Sequence, residues 1–235
     1  CTQNHLDRHK DLEEYFSAKA KIFANQTKDD FAVLNYDDPK MRGLADTLKS
    51  KVLFFNSPEL KKAHPNDNLD FFAARCAVKA LGISDEIVSD VFKDFKGVEH
   101  RLEWVRAING IDFINDSKAT TAEAGRWALE RMTKPVIMIC GGRDKHIDFC
   151  GLRDIVEKRV KHMFVIGESR EKIKKAFEDV VAVEECISFS DVVKKSFKKA
   201  AKGDCVLLSP MCTSYDMFAN FEERGREYKR LVNEL

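Results

Sequence analysis

From residue 111 onward the chain alternates short, wholly apolar runs with helical patterns, and this alternation restricts the fold more than any other feature. A strand over 136–140 ends in Gly141-Gly142-Arg143-Asp144-Lys145 and leads to a helix over 152–160. A strand over 163–166 ends in Gly167-Glu168-Ser169 and leads to a helix over 170–177. A strand near 181–183 precedes a helix over 191–200. The last strand covers 205–208 and the last helix 218–231. Runs this short and this apolar are buried on both faces, so the pattern predicts an α/β fold with a mainly parallel sheet under helices. In such sheets ligands gather beyond the carboxyl ends of the strands. The polar clusters fall there: Asp116 with Lys118, Arg143 with Lys145, Ser209 with Ser214.

The first strand of this set carries the densest cluster. Ile111, Phe113 and Ile114 form a strand that runs into Asn115, Asp116, Ser117, Lys118, Ala119 and Thr120. A helix then starts with Thr120 or Thr121 as N-cap and Glu123 in its first turn. A carboxylate, an amine and hydroxyls beside a helix N-terminus suit a phosphate-bearing ligand. An ordinary strand-to-helix turn with a solvated ion pair explains the same stretch equally well. Upstream, Asn109-Gly110 is a strong hairpin signal between strands over 102–107 and 111–115.

The charges narrow the class. Lys plus Arg number 40 against 39 Asp plus Glu, so no global field favours nucleic acid or an acidic membrane. No apolar run approaches the roughly 18 residues of a membrane span, and there is no signal-peptide pattern. The seven cysteines are scattered and form no CxxC pair, which fits reduced thiols in the cytoplasm better than disulfides or a zinc site. The chain opens at Cys1 without a methionine and goes at once into motif-like sequence, as expected of a fragment whose N-terminal part is absent.

Before residue 97 the pattern is looser. A helix is expected from about Asp11, with Leu12, Tyr15, Phe16, Ile22 and Phe23 as one apolar stripe. Lys19 lies within that stripe. There its amine would lose hydration and shift toward the neutral form, able to act as a base or to take up carbon dioxide as a metal-binding carbamate. A lysine that snorkels to the surface is the plainer alternative. His5, near Asp7 and Arg8, reads as a capping or core residue more readily than as a metal ligand. Strands are expected over 31–35 and 52–55, helices over 41–48, 69–81 and 85–92, and a loop over 61–68, with a domain boundary near Lys96-Gly97. The lysine run at 194, 195, 198 and 199 reads as a solvated helix face.

Several signatures are missing. Without GxGxxG a nicotinamide site is weakly supported, and without GxSxG neither Ser209 nor Ser214 is a hydrolase nucleophile. There is no GxxxxGK[ST] phosphate loop. What is present, in order, is H-L-D-R-H (5–9), Y-F-S-A-K-A-K-I-F (15–23), G-V-E-H-R-L-E (97–103), F-I-N-D-S-K-A-T (113–120), G-G-R-D-K (141–145) and L-S-P-M-C-T-S-Y-D-M-F-A-N-F-E-E-R-G (208–225). This series closely resembles the Mur ligase family, and within it the D-glutamate-adding branch.

The resemblance implies a Rossmann-like C-terminal domain over 98–235 that binds D-glutamate, preceded over 1–97 by part of an α/β ATP-binding central domain without its phosphate loop. It implies a monomeric enzyme of peptidoglycan precursor synthesis. ATP would phosphorylate the carboxylate of UDP-N-acetylmuramoyl-L-alanine, and the D-glutamate amine would attack the acyl phosphate. By the same resemblance His5 ligates Mg2+ and a carbamylated Lys19 supports it, reversing the plain reading of both. His100, Arg101 and Asp116 belong with the nucleotide, and Lys118 with the phosphates or the substrate carboxylate. Thr120, Lys145, Ser214 and Phe221 hold D-glutamate, with Tyr215 beside them. One stretch departs from the family: the 55–69 connection is short, and Asn66-Asp67-Asn68-Leu69-Asp70 stands where an H-N-x-x-N motif is expected, which leaves Asp67 as the substitute adenine contact. Folylpolyglutamate synthase is the nearest enzymatic alternative, and a non-catalytic ligand-binding remnant is the alternative if the protein begins at Cys1.

Overall fold

The structure is a computed structural model that describes residues 10–65, 67–144 and 147–235. Its contacts divide the chain into two units, Cys1–Lys96 and Gly97–Leu235.

In the first unit, α1 (Leu12–Ala20) is followed by β1 (Phe31–Asn35), α2 (Pro39–Ala45), β2 (Lys51–Phe55), α3 (Pro58–Ala63), α4 (Leu69–Lys79) and α5 (Asp85–Asp94). Strands β1 and β2 pair in parallel, and α4 packs against both. The buried apolar side chains described here are few: Ala32, Leu34, Phe72, Cys76 and Val88. A buried arginine reinforces them. Arg75 on α4 donates to Asp67 at 3.0 Å and to Asp85 at 3.1 Å, and Phe71 stacks on Phe92 with ring centroids 4.0 Å apart.

Three expectations need correction in this unit. The helix α1 stops at Ala20 and gives way to a short 3-10 turn, so the apolar stripe loses its phase; α1 buries no residue and Ile22 is 77% exposed. Lys19 is consequently exposed, with its amine 5.5 Å from the centre of the Tyr15 ring, and is not desolvated on a core face. Residues 61–63 belong to α3 and are not loop. Ser57 caps this helix by accepting from Leu60 N, and Pro58 occupies the first position, where a missing N–H removes no hydrogen bond. Asp38 and Pro39 start α2 in the same way, two residues before the expected start at 41.

The second unit begins with a hairpin, β3 (Glu103–Ile108) to β4 (Ile111–Asn115), closed by Asn109 and Gly110 with φ of 53° and 79°. Both values are the left-handed geometry of the hairpin turn that this pair favours. There follow α6 (Ala122–Arg131), β5 (Val136–Gly141), α7 (Arg153–Arg159), β6 (Val160–Ile166), α8 (Arg170–Phe177), β7 (Val183–Glu185), α9 (Phe189–Lys199), β8 (Cys205–Leu208) and α10 (Phe221–Asn233). The six strands lie in the order β3-β4-β8-β5-β6-β7, and every pairing except β3–β4 is parallel.

Alternation along the strands builds two cores. Val136, Met138 and Cys140 of β5 face one side, with Leu129 of α6, Val156 of α7 and Phe177 of α8. Ile137 and Ile139 face the other, with Val192 and Val193 of α9 and Tyr228 and Val232 of α10. β7 starts two residues later than expected, and α10 starts at Phe221, not 218. The delay has a visible cause: Met217 N and Phe218 N both donate to Ser214 O, making a separate turn before Asn220 caps the helix.

Candidate functional site

Because β4, β8 and β5 are adjacent and parallel, their carboxyl ends open on the same rim, and the turns that follow them are neighbours. These turns carry Asp116 to Thr120, Ser209 to Tyr215, and Gly142 onward. The fold therefore brings Lys118 and Ser214 to one edge of the sheet.

The turn after β4 is set by buried polar groups. Asn115 donates through its amide to His100 Nδ1 at 2.9 Å and to Glu103 Oε2 at 3.0 Å, and its Oδ1 accepts from Ser117 N at 3.2 Å. Asp116 donates its N–H to Leu208 O at 2.8 Å, which ties the turn to β8. Its carboxylate accepts from Ser209 Oγ at 3.1 Å and from Leu102 N at 3.2 Å. Burial pushes the Asp116 carboxyl up to about 7, against the opposing pull of these two donors and of the Arg101 charge. His100, Leu102 and Met211 border this region with φ of 65°, 43° and 59°, left-handed values that non-glycine residues adopt at an energetic cost.

Next along, Ser117 Oγ donates to Phe221 O at 2.7 Å. Lys118 is exposed, its amine 5.2 Å from the centre of the Phe221 ring, in cation–π reach. Thr121, and not Thr120, caps α6 by accepting from Ala124 N. The turn after β8 joins the one after β5 through a bridge between Arg143 and Thr213. Gly141 and Gly142 approach neighbouring main chain so closely that a Cβ on either would overlap Ile166 O or Thr213 O. Ser214 is 2% exposed and Tyr215 58%. Lys145 and His5 lie outside the described residues, as does Asn66.

Two more of the expected nucleotide contacts are engaged with protein groups. The His100 ring is 2% exposed, edge-on to Phe221 and against Gly225, so it braces the rim from behind. Desolvation lowers its pKa, partly offset by Glu99 and Glu103. Glu99, His100 and Glu103 offer donor atoms close enough for a cation. Lys229 already bonds both carboxylates, however, at 2.6 and 2.9 Å. The second is Asp67, whose Oδ2 is held by Arg75 at 3.0 Å. Arg101 is exposed.

The described residues do not by themselves assemble the magnesium site the resemblance implies. His5 is not among them, and the Lys19 amine rests over Tyr15.

Sequence reasoning missed Arg224, which is 1% exposed and reaches Ser117 and Cys212. A signal was available: Arg224, Tyr228 and Val232 recur every four residues, which places an arginine on the apolar face of a helix.

Comparison with known proteins puts this geometry in a family. Residues 1–92 match the model of the Mur ligase middle domain and residues 100–212 that of the Mur ligase, glutamate ligase domain. The chain is 38% identical to a UDP-N-acetylmuramoylalanine–D-glutamate ligase of Caldanaerobacter subterraneus subsp. tengcongensis, with 100% of the chain and 58% of that protein covered. It is 39% identical to the protein of that name from Lawsonia intracellularis, covering 99% and 53%. The chain thus spans little more than half the length of these relatives. Among solved structures, E. coli FolC in complex with DHPP and ADP is similar in fold, with a TM-score of 0.70 at 14% identity, covering 99% of this chain and 60% of that one. Crystal structure I of MurF from Acinetobacter baumannii gives 0.68 at 13%, covering 100% and 57%. With two family domains in succession along a chain whose polar turns share one rim, this chain belongs to the Mur ligase family.

Proposed function

We propose that this chain is the ATP-binding and D-glutamate-binding part of a ligase that joins D-glutamate to UDP-N-acetylmuramoyl-L-alanine. The observation that carries this reading is the meeting of the turns after β4, β8 and β5 at one rim, in a chain whose relatives bear that activity in their names.

In this reading ATP phosphorylates the muramoyl-alanine carboxylate. The D-glutamate amine attacks the acyl phosphate, forming the amide and releasing phosphate. Such chemistry needs positioning and positive charge more than covalent help from the protein. Lys118, exposed at the rim, supplies charge to the phosphates or the substrate carboxylate. Thr120, Lys145, Ser214 and Phe221 hold D-glutamate, with Tyr215 at the edge of that pocket. Arg101 and Asp116 serve the nucleotide; a carboxyl poised near 7 can become a full carboxylate when a ligand brings cationic or hydrogen-donating groups to it. No step is assigned to magnesium, because the described donors do not gather around one.

The reading includes a monomer acting in the cytoplasm. The described cysteines are free thiols, and no described helix is long and apolar enough to cross a membrane.

The deciding assay offers the intact gene product ATP, UDP-N-acetylmuramoyl-L-alanine and labelled D-glutamate, with a folate and L-glutamate as the competing pair. One phosphate released per D-glutamate joined is expected. Glutamate appearing only on the folate, or no product at all, would overturn the reading.

A further inference from the structure

Arg224 combines three properties that seldom occur together. It is 1% exposed, and among the described residues it makes no ion pair. All three of its hydrogen bonds go to neutral acceptors. Nε donates to Ser117 Oγ at 3.0 Å, Nη2 to Ser117 O at 2.8 Å, and Nη1 to Cys212 O at 3.1 Å. Burial lowers its pKa to about 10, so it stays charged at neutral pH. A buried cation without a carboxylate in contact is expensive, and folds that need only packing fill such a space with an apolar side chain. Here the five-donor fork is used as a spacer between loops.

The acceptors explain why. Ser117 lies between Asp116 and Lys118, in the turn after β4. Cys212 precedes Thr213 and Ser214, in the turn after β8. Ser117 Oγ passes the connection on to Phe221 O, at the start of α10. The Nη1 atom also lies directly beneath Gly142, in the turn after β5, where a Cβ would come within 3.3 Å of it. A single guanidinium therefore bonds the turns after β4 and β8 and lies close to the one after β5, and the nearest carboxylate that acts on its charge, Asp216, does so through space and not in an ion pair.

We propose that Arg224 is a positioning residue for the amino-acid substrate. By fixing Ser117 against Cys212 it sets the spacing of Lys118, Ser214 and Phe221, and its charge favours an anionic ligand at that rim. This inference rests on the D-glutamate reading above.

The test uses the intact gene product with Arg224→Lys and Arg224→Met, and with Ser117→Ala as a milder cut in the same chain of bonds. The KM for D-glutamate should rise about tenfold or more in Arg224→Met and less in Arg224→Lys, while the KM for ATP stays within about twofold. Ser117→Ala should move the D-glutamate KM in the same direction by about threefold. Near-equal changes for D-glutamate and ATP, or a loss explained by a lower melting temperature alone, would reduce Arg224 to a structural residue. If Arg224→Met does not fold, the Lys and Ser117→Ala variants decide by the same split. If the unaltered protein joins no D-glutamate, the substrate reading fails and this inference with it. If it does so and the variants show no split, only the role of Arg224 fails.

Discussion

The two units are held together by different means. In Gly97–Leu235 both faces of a six-stranded sheet are sealed, and Phe113, Ile137, Met138, Phe164 and Val206 are at most 1% exposed. In Cys1–Lys96 a parallel pair of strands carries a thin core, and the stripe Ile87, Val91 and Phe95 along and just past α5 is 50–60% exposed. The first unit relies instead on one buried arginine, Arg75, paired with a largely buried Asp67 and a half-exposed Asp85. Apolar burial is additive and tolerant, whereas a buried ion pair fails when either partner goes. The difference separates which substitutions each unit will tolerate.

The sharpest break should come at Gly141 in the second unit. Its φ is 115°, and a Cβ would collide with the Ile166 carbonyl, so Gly141→Ala should destabilise by roughly 5 kcal/mol or prevent folding of this unit, read by denaturant unfolding. In the first unit the comparable weak point is ionic. Arg75→Met leaves Asp67 without its partner and should lower stability by about 3 kcal/mol, seen as early loss of protection from hydrogen exchange in 67–89.

A pH experiment adds a third contrast. The Asp116 carboxyl is raised from 3.8 to about 7 in the fold, so its contribution to stability is complete below about pH 4 and is lost as pH rises to 7. Asp116→Asn should therefore gain on the unaltered protein across that window, on the order of 2 kcal/mol, measured as melting temperature against pH. The smallest effect is expected at Ile87. Its side chain is 58% exposed, so Ile87→Ala should change stability by no more than about 0.5 kcal/mol. A larger loss would mean that something covers α5 and that the contrast between the units is overstated.

The sequence was legible where one force decided the outcome. Wholly apolar strands, the Asn109-Gly110 turn and the strand-to-helix order of the second unit follow from burial and turn chemistry alone. Reading failed where two forces competed. The helix expected over 41–48 already begins at Pro39, and residues 61–63, expected as loop, continue a helix begun at Pro58, because the first turn has N–H groups to spare. Lys19 was placed on a core stripe by periodicity, and the end of α1 at Ala20 removed the stripe's continuation. The rim itself could be anticipated, since adjacent parallel strands must share it. What lies behind it could not be read the same way. Asn115, His100 and Arg224 come from three separate segments, and only the folded chain reveals which polar atom each one satisfies. Asp67 adds a structural partner that motif position does not show: Arg75 holds its Oδ2.

The last helix closes on the first residues of its own unit. Lys229 of α10 grips Glu99 and Glu103, and Tyr228 donates to Val206 O at the middle of the sheet. During synthesis, then, the hairpin that opens this unit lacks these partners until α10 has left the ribosome. A stop codon within α10 would strip both anchors from the earliest-made edge of the sheet.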